Sequence, residues 1–150
     1  MKNILMVTNV RTPVGLVDSI RSIAEVETFY AMAEAEELPD SFFIERVEKK
    51  DLIFFIPVDG NLLAKFANGI TDDNISKLFA FTTHNQVIIA PSMNIIQLLS
   101  CPVERNMKQL EEDQVWILPP VREESAPGVR DRGRLLSNDA IVSFVKRKLS

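Results

Sequence analysis

Two stretches of the sequence carry polar side chains directly after an apolar run and a proline. The first is LIFFIPVDGN, residues Leu52–Asn61, and the second is VIIAPSMN, residues Val87–Asn94. An apolar run that meets a proline is typical of a buried strand that ends in a turn. Asp59 and Asn61 in the first turn, and Asn94 in the second, offer carboxylate and carboxamide groups to a small ligand. Because the two runs end alike, we predict that both turns contribute to one site.

A third candidate turn follows the first apolar run of the chain, Ile4–Val7. Its sequence is TNVRTPVG, in which Thr8 and Thr12 carry hydroxyl groups and Arg11 carries a guanidinium group. A helical pattern begins directly afterwards, and the N–H groups at the start of a helix suit a phosphate. The sequence contains neither the G-x-G-x-x-G dinucleotide motif nor the G-x-x-x-x-G-K-[S/T] phosphate loop. A nucleotide site in this protein must therefore be of another kind.

The elements that must position these turns alternate along the chain between strands and helices. Apolar runs without polar alternation are typical of parallel strands that are buried on both faces. Five such runs occur, at Ile4–Val7, Thr28–Ala31, Leu52–Ile56, Val87–Ala90 and Val115–Leu118. The helical patterns between and after them are LVDSIRSIA, LLAKFANGI, DDNISKLFAF, VERNMKQLEED and NDAIVSFVKRKL.

This alternation predicts an α/β fold, a three-layer Rossmann- or flavodoxin-like parallel sheet with helices on both faces, as one domain over residues 1–150. We expect Gly69 to end the second helix and Asn138 or Asp139 to cap the last one. The segment 119–134 has no periodicity, and its length predicts that it is either functional or partly disordered. In such sheets, ligands bind beyond the carboxyl ends of the strands.

Composition excludes several classes of function. The chain of 150 residues is 46% hydrophobic and 25% charged, which is typical of a soluble globular protein. A net charge of −4 gives no reason to expect a nucleic-acid partner, and no apolar run is long enough to cross a membrane. With a single cysteine, Cys101, and a single histidine, His84, we expect no internal disulfide, no metal site and a reducing, cytoplasmic location. We expect His84 at the surface and Cys101 as a small buried side chain.

Two longer segments, PVDGNLLAKFANGITDDN and VIIAPSMNIIQLLSCPVERNMKQLEEDQVWILPP, resemble the homo-oligomeric FMN-containing cysteine decarboxylases. This family includes the phosphopantothenoylcysteine decarboxylases and the lantibiotic peptide cysteine decarboxylases. Its pattern combines a Pro-Ala-Ser/Thr-Ala-Asn-Thr turn, Ala-Asn-Gly, Asp-Asn and a Pro-Ala-Met-Asn turn. The matching positions are Pro57, Asn61, Lys65, Ala67, Asn68, Gly69, Asp72, Pro91, Met93, Asn94, Pro102, Asn106 and Leu110.

The resemblance implies FMN as the cofactor and a homotrimer or other homo-oligomer, with the flavin at subunit contacts. It implies that Asn94 contacts a substrate carboxylate, and that the substrate is a small molecule or a peptide with a C-terminal cysteine. The loop APGVRDRGRL resembles the family's substrate clamp, which carries over Gly128, Gly133 and Arg134. The cofactor-binding residues that it implies are Thr8, Arg11, Thr12, Asp59, Asn61, Pro91 and Met93.

The sequence departs from the family at the positions that do the chemistry. Aligned through Asp51 and Pro57, the catalytic histidine of the family is Phe43, and the clamp cysteine is Pro127. Phenylalanine cannot move a proton. Asp59 would repel a flavin phosphate. The short segment between the second and third strands predicts that a helix covering the flavin is missing.

Two classes of function remain open. The first is a divergent FMN-binding flavoprotein, a redox enzyme or a decarboxylase that uses another base. The second is a catalytically inactive structural or regulatory subunit, which assembles with itself or with a paralogous chain. A flavodoxin-like electron carrier without this ancestry ranks last, because TNVRTP is a poor phosphate loop.

Overall fold

The computed structural model describes residues 1–30, 36–121 and 135–150, and the backbone of residues 132–133. Its centre is a sheet of five parallel strands in the order β2-β1-β3-β4-β6. Two further short strands, β5 and β7, form an antiparallel pair. The strands are β1 (Asn3–Thr8), β2 (Glu25–Tyr30), β3 (Leu52–Val58), β4 (Val87–Pro91), β5 (Met93–Asn94), β6 (Trp116–Ile117) and β7 (Arg132–Gly133).

Helices cover both faces of the sheet. On one face, α2 to α6 pack over an apolar core that contains Phe43, Phe55 and Leu110. On the other face, α1 and α7 pack over a second core that contains Phe54 and Ile141. The helices are α1 (Leu16–Arg21), α2 (Asp40–Val47), α3 (Gly60–Asn68), α4 (Asn74–Ala80), α5 (Ile95–Leu98), α6 (Cys101–Glu112) and α7 (Asn138–Leu149), with a 3₁₀ turn at His84–Gln86. The predicted fold class, a three-layer α/β sheet, is confirmed.

The central strands are apolar throughout because both of their faces are covered. In β3, Ile53 and Phe55 face one core, and Phe54 and Ile56 face the other. The edge strand β2 differs from the prediction. It begins at Glu25 and most of its side chains are at least partly exposed, because it forms one edge of the sheet.

The ends of α3 and α7 test the predictions for the residues that end and cap these helices. Gly69 ends α3 with a φ of 71°, in the left-handed region that favours glycine, as predicted. The cap of α7 is neither Asn138 nor Asp139 but Ser137, whose hydroxyl accepts a hydrogen bond from the Ala140 N–H at 3.2 Å. The side chain of Asn138 instead donates to the Val14 carbonyl at 3.0 Å.

Two further expectations were wrong. Pro57 lies within β3 rather than ending it, whereas Pro91 is the last residue of β4, as predicted. The segment between β2 and β3 forms α2, and the lack of a further helix that would cover a flavin stays a prediction. Cys101 is exposed, because it is the first residue of α6 and lies outside the stripe that faces the core. In the part of the chain that the structure describes, no helix is long and apolar enough to cross a membrane.

Candidate functional site

The order of the strands places a cleft at the carboxyl end of the sheet. The chain passes from β1 to β2 on one side and then to β3 on the other, so the carboxyl ends of β1 and β3 form the switch point where ligands bind in such folds. A cleft of about 650 Å³ opens there. Its lining residues are Asn9, Val10, Phe29, Tyr30, Glu37, Asp59, Asn61, Leu62, Thr71, Asp72, Asp73, Asn74, Ile75 and Lys77. Of the predicted cofactor-binding residues, this set contains Asp59 and Asn61.

The loop between β1 and α1 is closed by its own hydrogen bonds. The Asn9 N–H donates to the Thr12 hydroxyl at 3.0 Å, and the Arg11 N–H donates to Oδ1 of Asn9 at 2.8 Å. The Thr12 hydroxyl in turn donates to the Ile56 carbonyl of β3 at 2.8 Å. Thr8 is buried as the last residue of β1, and Arg11 is exposed. Thr12 therefore fastens the loop to β3, and its predicted role toward a cofactor stays a prediction.

The turn after β3 caps α3 and also lines the cleft. The Asp59 carboxylate accepts a hydrogen bond from the Leu62 N–H at 2.8 Å and so caps α3. The next residue, Gly60, leaves room for the amide of Gln97 from α5, because a Cβ at position 60 would lie 2.2 Å from Nε2 of Gln97. Asn61 is exposed and lines the cleft.

The residues of the turn after β4 do not line the cleft. Pro91 pairs with Val58 of β3, and Met93 is only 4% exposed, so both are part of the packed interior. Asn94 is exposed, but its carboxamide oxygen accepts from the Ile96 N–H at 2.8 Å and caps α5. Within β5 and β7, Met93 lies opposite Gly133.

The predicted site residues thus fall into two groups. Asp59 and Asn61 lie at the cleft, whereas Met93, Asn94 and the backbone of Gly133 meet in the β5–β7 pair. The other clamp positions, Pro127, Gly128 and Arg134, lie outside the described residues.

Charge in the cleft is predominantly negative. Among the described residues that line it are four carboxylates, of Glu37, Asp59, Asp72 and Asp73, and one ammonium group, of Lys77. A hydrogen bond from Lys77 lowers the pKa of Glu37. In the described part of the chain, no cluster of histidine, cysteine and carboxylate side chains could hold a metal ion.

Lys65 forms ion pairs with two of these carboxylates but does not itself line the cleft. Its ammonium group lies 2.8 Å from Asp72 and 2.6 Å from Asp73, and these hydrogen bonds raise the pKa of Lys65. Burial raises the pKa of Asp73, but hydrogen bonds from Lys65 and Ser76 outweigh it and hold that pKa below its usual value. Asp73 also caps α4 through a reciprocal pair of bonds with Ser76, so the cleft wall is well fixed.

Several wall residues were not predicted from the sequence. The apolar wall is formed by Val10, Phe29, Tyr30, Leu62 and Ile75. Val10 and Tyr30 are 84% and 52% exposed, which is high for apolar and aromatic side chains. These residues come from separate parts of the chain, and no local pattern unites them. Their exposure at one cleft is a signal that appears only in three dimensions.

Phe43 is a core residue. It is fully buried in α2, with its ring edge-on to Phe42 at 5.7 Å and stacked on Phe81 at 5.8 Å between centroids. His84 stacks on Phe79 at 4.8 Å in the turn that precedes the amino end of β4, and so lies at the opposite end of the sheet from the cleft. Asn68 is also away from the cleft, where its amide donates to the Ala64 carbonyl at 2.8 Å.

The family follows from comparison with known proteins. The sequence model described as Flavoprotein matches residues 6–150, which is nearly the whole chain. The chain belongs to the Flavoprotein family. The relatives of this flavoprotein are of the cysteine decarboxylase type, as the resemblance in its motifs indicated.

One relative is the coenzyme A biosynthesis bifunctional protein CoaBC of Bacillus subtilis (strain 168), with 30% identity over 129 residues. That match covers 80% of this flavoprotein and 32% of CoaBC. The matches cover 32% of the length of CoaBC and 48% and 46% of two relatives from Arabidopsis thaliana, so the chain spans less than half of each of these relatives.

Solved structures share the fold of this flavoprotein over nearly the whole chain. The epidermin biosynthesis protein EpiD from Staphylococcus aureus is 17% identical with a TM-score of 0.74, over 95% of this flavoprotein and 99% of EpiD. The FMN binding protein AtHal3 is 19% identical with a TM-score of 0.75, over 97% and 95% of the two chains. At these identities the likeness shows the fold.

Proposed function

We propose that this flavoprotein binds a flavin in the cleft at the switch point and does not by itself decarboxylate a cysteine substrate. The observation that carries the second part is the complete burial of Phe43, at the position where the motifs place the family's catalytic histidine. The first part is supported by the position of the cleft and by its exposed apolar wall.

The ring system of a flavin fits the chemistry of that wall. A flat aromatic ring gains free energy when it covers apolar surface, and Val10, Tyr30 and Leu62 present such surface around the cleft. The carboxamides of Asn9 and Asn61 lie on the same lining and can bind the ribityl hydroxyls. The resemblance implies FMN, which when bound supplies electron and hydride transfer.

Phe43 does not supply the proton transfer that decarboxylation needs. Phe43 has no ionisable group, and its ring is enclosed by other rings. Among the described ionisable side chains of the cleft, Lys77 pairs with Glu37, and Lys65 pairs with Asp72 and Asp73. A peptide or small molecule with a terminal cysteine would then be a substrate where another subunit of the expected homotrimer, or a paralogous chain, provides the base.

A second candidate is a structural or regulatory subunit without a cofactor. The closed β1–α1 loop favours it, because three of the loop's N–H groups, those of Asn9, Arg11 and Thr12, are already bonded within the loop. The two candidates differ in whether any flavin binds.

The test is to purify the protein, record its visible absorption spectrum, and repeat this after adding flavin and removing the excess. Bound flavin with no release of carbon dioxide from a peptide ending in cysteine is the expected result. Release of carbon dioxide by the purified chain would refute the absence of catalysis. A protein that stays colourless with both FMN and riboflavin would favour the cofactor-free subunit.

Two valines of one loop provide a matched pair of variants. Val10 lines the cleft, whereas Val14 is 97% exposed and does not line it. Val10→Asp should abolish flavin binding by placing a charge on the apolar wall, and Val14→Asp should leave binding unchanged. Equal loss in both variants would mean that the loop, and not the cleft, is responsible.

A further inference from the structure

We infer that the cleft selects against the phosphate of FMN and binds the uncharged flavin, riboflavin, more tightly. This inference rests on the proposed flavin binding and adds the chemical class of the ligand. It is carried by two independent features of the described residues, the bonding of the β1–α1 loop and the charges that line the cleft.

Several N–H groups of the β1–α1 loop are already bonded and are not free for a phosphate. Phosphate sites at strand–helix turns use several backbone N–H groups that converge on the anion. Here the N–H groups of Asn9 and Arg11 bond to side chains of the loop, and that of Thr12 bonds to the Asn9 carbonyl at 3.1 Å. The Leu16 N–H bonds to the Pro13 carbonyl at 3.2 Å, and Pro13 itself has no N–H.

The Thr12 hydroxyl group of the loop is also fully used in hydrogen bonds. The Thr12 hydroxyl accepts from the Asn9 N–H and donates to the Ile56 carbonyl, so its proton is not available to a phosphate oxygen. An anion that used the Thr12 hydroxyl would have to break the bond that fastens the loop to β3.

The charges of the cleft act in the same direction. A phosphate monoester carries about −1.5 to −2 charges at neutral pH. It would face the carboxylates of Glu37, Asp59, Asp72 and Asp73, while Lys77 is paired with Glu37 and Lys65 with Asp72 and Asp73. The ring and the ribityl hydroxyls carry no charge, so riboflavin avoids this repulsion.

The experiment is to titrate the protein with riboflavin and with FMN, following the quenching of flavin fluorescence at low ionic strength and about pH 8. The phosphate of FMN is repelled by the carboxylates across a partly solvated cleft. Repulsion equivalent to one or two like charges predicts that riboflavin binds about tenfold more tightly than FMN. The ratio should shrink at about 0.5 M salt, because salt screens the carboxylates. It should also shrink toward about pH 5.5, because the phosphate, with a second pKa of about 6, there loses most of its second negative charge.

A matched pair of charge variants separates local repulsion from net charge. Asp59→Asn removes one negative charge from the cleft, and asparagine caps helices as well as aspartate does. The ratio of the two affinities should fall about threefold to fivefold in this variant. Glu112→Gln removes the same charge at the last residue of α6, away from the cleft, and should leave the ratio unchanged.

Each outcome decides between the inference and the function on which it rests. Riboflavin tighter than FMN, with the ratio lowered by Asp59→Asn and by salt, supports the inference. FMN as tight as or tighter than riboflavin overturns the inference and leaves the proposed flavin binding intact. Binding of neither compound overturns both.

Discussion

Replacing Phe43 by histidine tests whether this position can take part in proton transfer. The variant restores the residue type that the motifs place at this position in the family. In this structure, however, the side chain at position 43 is fully buried and packs against the rings of Phe42 and Phe81. We expect Phe43→His to destabilise the fold without producing decarboxylation.

The magnitude follows from the burial of the ring. Fully burying a phenylalanine side chain contributes about 1.5–3 kcal/mol. A buried imidazole without a hydrogen-bond partner costs a further 1–3 kcal/mol, approximately. We therefore expect a loss of about 3–5 kcal/mol near pH 8, where the imidazole is neutral.

The pH dependence has a definite sign. Burial disfavours the imidazolium ion, so the pKa of a histidine at position 43 would lie below its usual value in the folded state. The unfolded chain then binds more protons than the folded chain below about pH 6.5, and the variant loses up to about 1.4 kcal/mol more for each pH unit.

Urea unfolding at about pH 8 and pH 5.5 measures both effects. Phe42→His is the control, because Phe42 is the adjacent residue of α2 and is only partly buried, with the Arg46 guanidinium 4.4 Å from its ring centroid. We expect a loss of about 1 kcal/mol there, with a weaker dependence on pH. Wild-type stability of Phe43→His at both pH values, or release of carbon dioxide by that variant, would refute the burial of position 43 as the cause of lost chemistry.

Two further predictions concern the contacts that fix the cleft. Thr12→Val should lower the free energy of unfolding by about 2 kcal/mol, because the Asn9 N–H and the Ile56 carbonyl both lose their partner, whereas Thr12→Ser should cost less than about 1 kcal/mol. Equal losses in thermal or urea unfolding would contradict this role of the hydroxyl. Lys65→Met should cost about 1 kcal/mol near neutral pH. Because pairing lowers the pKa of Asp73, that stabilisation is present above the usual aspartate pKa and is lost as the pH falls through the lowered value. Wild type and Lys65→Met should therefore converge in strong acid, and a difference that persists at about pH 2 would exclude the ion pair as its source.

The sequence by itself determined the fold class and most of the elements. Uninterrupted apolar runs such as Leu52–Ile56 are stable only when both faces of a strand are covered, so a parallel sheet between two helical layers follows from them. Gly69 could be assigned to a helix end because its conformation is a local property of the residue. The edge position of β2 and the exposure of Cys101 could not be predicted, because they depend on which neighbours the rest of the chain supplies.

The tertiary structure alone decided what the polar residues of the site do. The sequence shows that Thr12 and Asn94 have groups that can bind a ligand, but it does not show which partner takes them. Thr12 bonds to a carbonyl 44 positions away in the chain, and Asn94 caps the helix that follows it. Likewise, Val10 and Tyr30 become one apolar wall only when β1 and β2 lie side by side. Hydrogen-bond partners and shared surfaces are set by distances in the folded chain, and those distances decided where a ligand can bind.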